Sequence, residues 1–147
     1  MQKPTVRVKP LRETAILPKY GSAYAAGADL AAALDEPVAI APGETKLIPT
    51  GLAMEIPMGY AGLIYARSGL AAKRGLAPAN KVGVVDADYR GEVMVALHNH
   101  SNQAQQVAPG ERIAQLVVAP FLAVEFEAAQ ALDDTVRGGG GFGSTGR

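Results

Sequence analysis

The sequence predicts an all-β protein, a jelly-roll-like double-sheet barrel with one short helix and a flexible glycine-rich C-terminal tail. Three observations carry that reading. From Pro37 onward, Pro/Gly turn signals separate short apolar runs at regular intervals, as they do in β sandwiches and barrels. With the minor runs included there are about ten such segments, close to the ~8 strands of a two-sheet jelly roll and beyond. The last stretch, Arg137 to Gly146, breaks the pattern with six glycines in ten positions, too flexible a composition to stay folded unaided.

Thr5-Val6-Arg7-Val8-Lys9 alternates apolar and polar residues, the mark of a half-buried strand, and its charges suit a sheet edge. Leu11 to Lys19 offers no helical stripe. The alanine-rich stretch from Tyr20 to Ala33 favours helix by propensity, but Gly27 interrupts it and Pro37 follows, so a loop into a short strand headed by Asp29 is the better reading. Ala41-Pro42-Gly43-Glu44 recurs as Ala108-Pro109-Gly110-Glu111, each placing Pro and then Gly where a type II turn needs a fixed φ followed by a positive one. Strands are expected at Leu52–Ile56, Ala61–Tyr65 and Ile113–Val118, and a short helix at Ser68–Arg74. Val82, Val84 and Val85 before an Asp/Gly turn, with Val93 to Leu97 after it, predict a hairpin.

At 147 residues and 15.2 kDa the chain is long enough for one domain with a real core. Its expected division is a β domain over 1–136 and a tail over 137–147. Aromatics make up 5% of the chain, so small aliphatic residues must do the packing. Lys plus Arg equals Asp plus Glu at 14 each, which leaves no net field to hold DNA or RNA. An anionic ligand must then be met by individually placed arginines. Cysteine is absent, which removes disulfides and thiolate metal sites. No apolar leader follows Met1 and no run approaches a membrane span, so a soluble cytoplasmic protein is expected.

The chemistry-bearing residues gather at turns. Asp86, Asp88, Tyr89 and Arg90 fall together after Val85, where a sheet can present reactive groups to a ligand, although Asp and Gly are also plain turn formers. Arg67-Ser68-Gly69 ends a strand and opens the short helix, so Arg67, the Ser68 hydroxyl and nearby N–H groups could converge on phosphate oxygens; Ser68 could equally be an N-cap. Arg112 and Gln115 start a strand and point into a cleft or pair at the surface. Asp29 holds a metal-bound water, orients an arginine, or is a turn residue. His98-Asn99-His100 lacks the cysteines or carboxylates that would complete a zinc site and reads as structural. In the tail, one arginine, one aromatic and a Ser-Thr pair fit a segment that orders over an anion with Phe142 on a flat ring, where a bare linker would need none of them.

Five stretches in order, Ala26-Gly27-Ala28-Asp29-Leu30, Arg67-Ser68-Gly69, Gly83 to Gly91, Pro109 to Gln115 and Arg137 to Gly146, resemble the five motifs of the trimeric dUTPase family. The resemblance spans about residue 20 to the end; Ala66 stands where many members have proline. It implies a homotrimer with three active sites, each assembled from all three subunits, hydrolysing dUTP to dUMP and diphosphate. Such an enzyme limits uracil incorporation into DNA and supplies dUMP for dTMP synthesis.

By the same resemblance Asp86 is the general base for a water that attacks the α-phosphorus. Carboxylates as a class are ionised but weak bases at neutral pH, so geometry and metal assistance must supply much of the rate. Tyr89 lies under the deoxyribose and excludes a 2′-hydroxyl, while Asn80 and backbone groups from Gly83 onward bond the uracil edge; Val85 and Met94 also count as substrate-binding. Arg67, Ser68, Gly69 and Gln115 contact phosphates. Arg137, Gly143, Ser144 and Thr145 close over the γ end, and Phe142 covers the uracil. Asp29 and Arg112 support the site. Mg2+ is expected on the substrate phosphates with no direct protein ligand, Asp29 acting at most through a water. Two rivals stand beside this reading: a dCTP deaminase-like enzyme, possibly bifunctional, and a non-catalytic jelly-roll assembly module.

Overall fold

The computed structural model describes residues 2–146; Met1 and Arg147, the outer ends of the expected domain and tail, lie outside the described residues. In chain order the elements are β1 (Arg7–Pro10), β2 (Lys19–Tyr20), β3 (Ala28–Ala31), β4 (Val38–Ile40), β5 (Thr45–Glu55), β6 (Tyr60–Tyr65), α1 (Ser68–Arg74), β7 (Leu76–Pro78), β8 (Gly83–Val85), β9 (Glu92–Asn99), β10 (Gln105–Val107) and β11 (Arg112–Pro120). They form a four-stranded sheet in the order β1-β5-β9-β7, a five-stranded sheet in the order β2-β3-β11-β6-β8, and a two-stranded ribbon of β10 with β4.

The expectation of mostly β structure holds, but the barrel does not. Each sheet ends in two open edges, β1 and β7 in one and β2 and β8 in the other, so none closes on itself. Short alternating runs reveal strands, whereas closure depends on which strand pairs with which, and a run of residues does not encode its partner. The edge strands are themselves short, and β1 carries Arg7 and Lys9 with exposed side chains, which discourages further pairing.

The predicted hairpin fails for the same reason. β8 pairs antiparallel with β6, while β9 pairs with β5 and β7 in the other sheet. Residues 86–91 therefore cross from one sheet to the other. Both flanking strands were legible from their valines, but a connection of that length permits a crossing as readily as a turn-back.

Side-chain period organises the core. Along β9, Val93, Val95, Leu97 and Asn99 face inward and alternate with exposed or half-buried neighbours. Val93, Val95 and Leu97 meet Ile48, Leu52 and Met54 of β5, Leu30 of β3, Ile64 of β6, and Ile113, Ala114 and Leu116 of β11 in one cluster. No aromatic residue is among the buried ones; cohesion rests on many aliphatic side chains worth about 1.5–3 kcal/mol each. The alanine-rich stretch does form the short strand β3 and no helix, with Ala28, Leu30 and Ala31 buried.

Both Pro-Gly turns form as expected. Gly43 and Gly110 have φ of 76° and 75°, and Glu44 N and Glu111 N donate to Ala41 O at 3.0 Å and Ala108 O at 3.1 Å. Helix α1 has the predicted bounds, buries Leu70 and stops at Gly75 in the left-handed region. Its N-cap position is Arg67, without a side-chain cap, so Ser68 is the first helical residue and not the cap. Among the described residues no helix is long and apolar enough to cross a membrane.

His98 Nδ1 shares a hydrogen bond with Thr45 Oγ1 at 2.7 Å, and its ring meets His100 edge-on at 4.4 Å. Between them Asn99 is fully buried. Its Nδ2 donates to Ile40 O and Gln103 O at 2.9 and 2.7 Å, and its Oδ1 accepts from Ser101 N and Oγ at 2.9 and 2.7 Å. Asn99→Ala removes the buried hydrogen bond to Ile40 O and the brace of the half-exposed 101–103 turn, and should cost about 1–3 kcal/mol. Thermal or urea unfolding of the variant measures it.

Candidate active site

The loop that crosses between the sheets frames one side of a cavity of about 240 Å3, lined by Asn80, Gly83, Val85, Asp86, Tyr89 and Met94 together with Ile64, Val84, Glu92 and Val93. Six of the seven predicted nucleoside and catalytic positions thus meet in one place, Phe142 of the tail being the exception. The volume lies below the ~300 Å3 where small-molecule pockets begin, too little for a whole nucleoside triphosphate.

Local structure explains the posture of each side chain. Lys81, with φ of 65°, holds a tight turn in which Val82 N donates to Asn80 O at 2.7 Å, and this sets Asn80 at the rim. After β8, Tyr89 N donates to Asp86 O at 3.1 Å, closing a turn that leaves Asp86 exposed. No hydrogen bond to its carboxylate exists among the described residues, so its lone pairs are available to a ligand or water. The Tyr89 hydroxyl donates to Glu92 O at 2.9 Å, pinning a ring that lies over Gly91, where a Cβ would come within 2.7 Å of Cζ. Glu92 is in turn fixed by Gly51 N at 3.1 Å and by an ion pair with Arg12. Sequence reasoning missed Glu92, although an acid directly after the loop glycine was a usable signal.

A second group forms around Asp29. Arg67 Nε donates to Asp29 Oδ1 at 3.0 Å and Arg112 Nη1 to Oδ2 at 3.3 Å. Of the readings open for Asp29, orienting arginines is the one observed. The strand register puts Gln115 of β11 opposite Asp29 on one side and Tyr65 on the other, and Gln115 Nε2 donates to Ala66 O at 2.8 Å. Arg67, Ser68 and Gly69 follow directly, with Ser68 and Gly69 exposed. Two guanidinium groups around one carboxylate leave a surplus positive charge beside open hydroxyl and N–H groups, which suits a polyanion.

Asp86 and the Asp29 group lie toward opposite ends of β6. Val85 lies opposite Gly62 and Gln115 opposite Tyr65, and the chain stays extended to Arg67, with φ −90° and ψ 130°. At about 3.3 Å per residue, Asp86 and Arg67 are separated by roughly 17–20 Å of backbone.

The tail residues join neither group. After β11 ends at Pro120, residues 121–139 are exposed throughout. Arg137 Nε donates to Gly140 O at 2.7 Å, Ser144 N to Gly141 O at 3.1 Å and Gly146 N to Gly143 O at 3.0 Å. The tail therefore bonds to itself, and Phe142 projects wholly into solvent with φ of 52°; Thr145 is exposed as well.

The family model for dUTPase matches residues 13–146. The chain belongs to the dUTPase family. A deoxyuridine 5'-triphosphate nucleotidohydrolase of Maricaulis maris is 50% identical over 145 residues, covering 96% of this chain and 95% of its own length. One from an Anaeromyxobacter species is 53% identical over 131 residues, with 89% and 88% covered. Among solved structures, the Staphylococcus bacteriophage 80alpha dUTPase with dUPNHPP superposes at a TM-score of 0.89 with 30% identity, over 97% of this chain and 99% of that one.

Within this dUTPase, Gly27 is a sensitive point of the second group. A Cβ there would overlap Gln115 Oε1 and sit 2.9 Å from its Cδ. Because the obstacle is the far end of a flexible side chain, Gly27→Ala should fold normally but displace the Gln115 amide. The expected outcome is a thermal midpoint close to wild type with a KM for dUTP raised several-fold in steady-state kinetics.

Proposed function

We propose the following division of labour for this enzyme, which hydrolyses dUTP to dUMP and diphosphate. The cavity beside Asp86 takes the nucleoside. Asn80 and the backbone of Gly83 and Val85 bond the uracil edge, Met94 walls the pocket, and the Tyr89 ring leaves no room for a 2′-hydroxyl. Asp86 positions a water and accepts its proton as the oxygen attacks the α-phosphorus and diphosphate departs.

The observation that carries this reading is the separation along β6. The phosphate-binding candidates must lie within a few ångströms of the phosphates whose innermost atom Asp86 attacks through water, yet in one chain they are held roughly 17–20 Å of backbone away. Arg67 cannot swing across that gap while Asp29 holds it. This supports an oligomer in which Arg67, Ser68, Gly69 and Gln115 of one subunit face Asp86 of another, braced by Asp29 and Arg112. A closed homotrimer supplies such a meeting three times over. The exposed tail supports a third contribution: Arg137 and the Gly143-Ser144-Thr145 segment over the terminal phosphate, and Phe142 over the uracil face.

Magnesium fits this donor set as a companion of the substrate. Both oxygens of Asp29 already accept from guanidinium groups, and among the described residues no three of His, Asp and Glu converge on a point. With Mg2+ bound to the substrate, charge neutralisation at the phosphates would be supplied by the ion. Arg67 and Gln115 then only have to orient them.

Diphosphate release should be fast with dUTP and slow with UTP, dTTP and dCTP, because a wrong base or sugar leaves buried polar groups unpaired or collides with Tyr89. Ammonia release from dCTP would overturn the assignment. Asp86→Asn should lower kcat by at least ~100-fold while binding of a non-hydrolysable analogue persists; full-speed hydrolysis by the amide variant would remove Asp86 from the chemistry. Deleting residues 137–147 should leave a folded oligomer with little turnover, checked by calorimetry beside kinetics.

A further inference from the structure

Arg90 belongs to the loop that carries Asp86 and Tyr89, and its guanidinium turns back over that loop. Nη1 donates to Ala87 O at 2.7 Å and to Tyr89 O at 3.1 Å. Nη2 reaches Glu55 Oε1 at 3.5 Å. Glu55 is the last residue of β5, and its other oxygen accepts from Arg7 Nε, directly opposite on β1. The Glu55 carboxyl is held below the usual glutamate range, chiefly by that hydrogen bond from Arg7, with the charges of Arg7 and Arg90 adding to it against desolvation. It is therefore a fixed anion at neutral pH.

We propose that Arg90 is a positioning residue for hydrolysis: its Nη1 holds the carbonyls on either side of Asp88 while its Nη2 ties the catalytic loop to the end of β5. The proposal rests on the roles given above to Asp86 and Tyr89. The loop crosses between two sheets, so no ladder partner shapes it. Its own backbone supplies the single turn bond from Tyr89 N to Asp86 O, and the Tyr89 hydroxyl anchors only its far end. Without Arg90 the carbonyls of Ala87 and Tyr89 face water, and the angle at which Asp86 meets the cavity is set by one hydrogen bond. Both ion pairs are exposed, and exposed pairs contribute little to folding. A misplacement of ~1 Å near the reacting atoms, by contrast, costs about 100-fold in rate. Removal of Arg90 should thus be felt in turnover and selectivity before it is felt in stability. Lysine offers one ammonium, which can meet the two carbonyls as Nη1 does but has no second nitrogen to hold Glu55 at the same time.

The test compares Arg90→Ala, Arg90→Lys and Glu55→Gln with wild type, and carries Asp86→Asn as a separate control. Arg90→Ala should keep its oligomeric state and a thermal midpoint near wild type, yet lose about tenfold or more in kcat for dUTP. The ratio of kcat/KM for dUTP over UTP should narrow, because a loosened Tyr89 ring bars ribose less well. Arg90→Lys should recover only part of both losses, and Glu55→Gln should move both in the same direction by less. Wild-type kcat and selectivity in Arg90→Ala would overturn the proposal. So would a loss in both Arg90→Ala and Glu55→Gln that tracks a collapsed thermal midpoint or broken oligomer with selectivity unchanged. Retained activity in Asp86→Asn would instead sink the reading of the site itself, whatever Arg90 does.

Discussion

Strand β6 is paired on both sides, with β8 on one and β11 on the other, and that double pairing sets the distance on which the proposed active site depends. Antiparallel registers cannot slide without turning every side chain to the wrong face, and here one face is the aliphatic core. Asp86 is thereby fixed at one end of the strand and the Asp29 cluster at the other. A rigid scaffold of this kind positions reacting groups well but cannot fold its two ends together. In the mechanism we propose, which needs both ends, another copy supplies the second.

The same economy shows in the electrostatics. The chain has no net charge, so a triphosphate is not drawn in by a broad field, and binding depends on where single arginines stand. Asp29 solves the placement by holding two of them with one carboxylate, each partly shielded from water on the Asp29 side. Arg67, about a quarter exposed, is the more constrained; Arg112 at 59% exposure is freer, in keeping with a bracing role. The Asp86 loop is organised oppositely, its acid left without partners while Tyr89, Arg90 and Glu92 carry the bonds that shape it.

Much of this was legible in the residues. Pro-Gly turns, the alternation along Val93 to Leu97, the break at Gly27 and the bounds of the short helix all follow from local stereochemistry, which a sequence states directly. The resemblance to five ordered motifs singled out six of the ten residues that line the cavity, and the Asp29 cluster. What the sequence concealed was non-local. Val82 to Val85 and Val93 to Leu97 announce two strands but not that they join different sheets, and no run of residues says whether a sheet closes. Glu92 was hidden for a related reason, and Arg90 was legible only as a member of the acidic turn: their work lies in bonds to Gly51, Arg12 and Glu55, distant in sequence and brought near only by the fold. The tail stayed out of reach because, in a single chain, it packs against nothing.

The central claim is that one chain cannot complete a site and that several can. It is tested most directly by mixing. Chains carrying Asp86→Asn and chains lacking residues 137–147, each nearly inactive alone, should be unfolded together, refolded and assayed for diphosphate release from dUTP. If catalytic loop and tail come from different subunits, some mixed oligomers hold a site with an intact loop and an intact tail, and activity returns to a measurable fraction of wild type. Mixed oligomers verified by mass that stay as inactive as their parents would show each site to be self-contained, and would contradict the account.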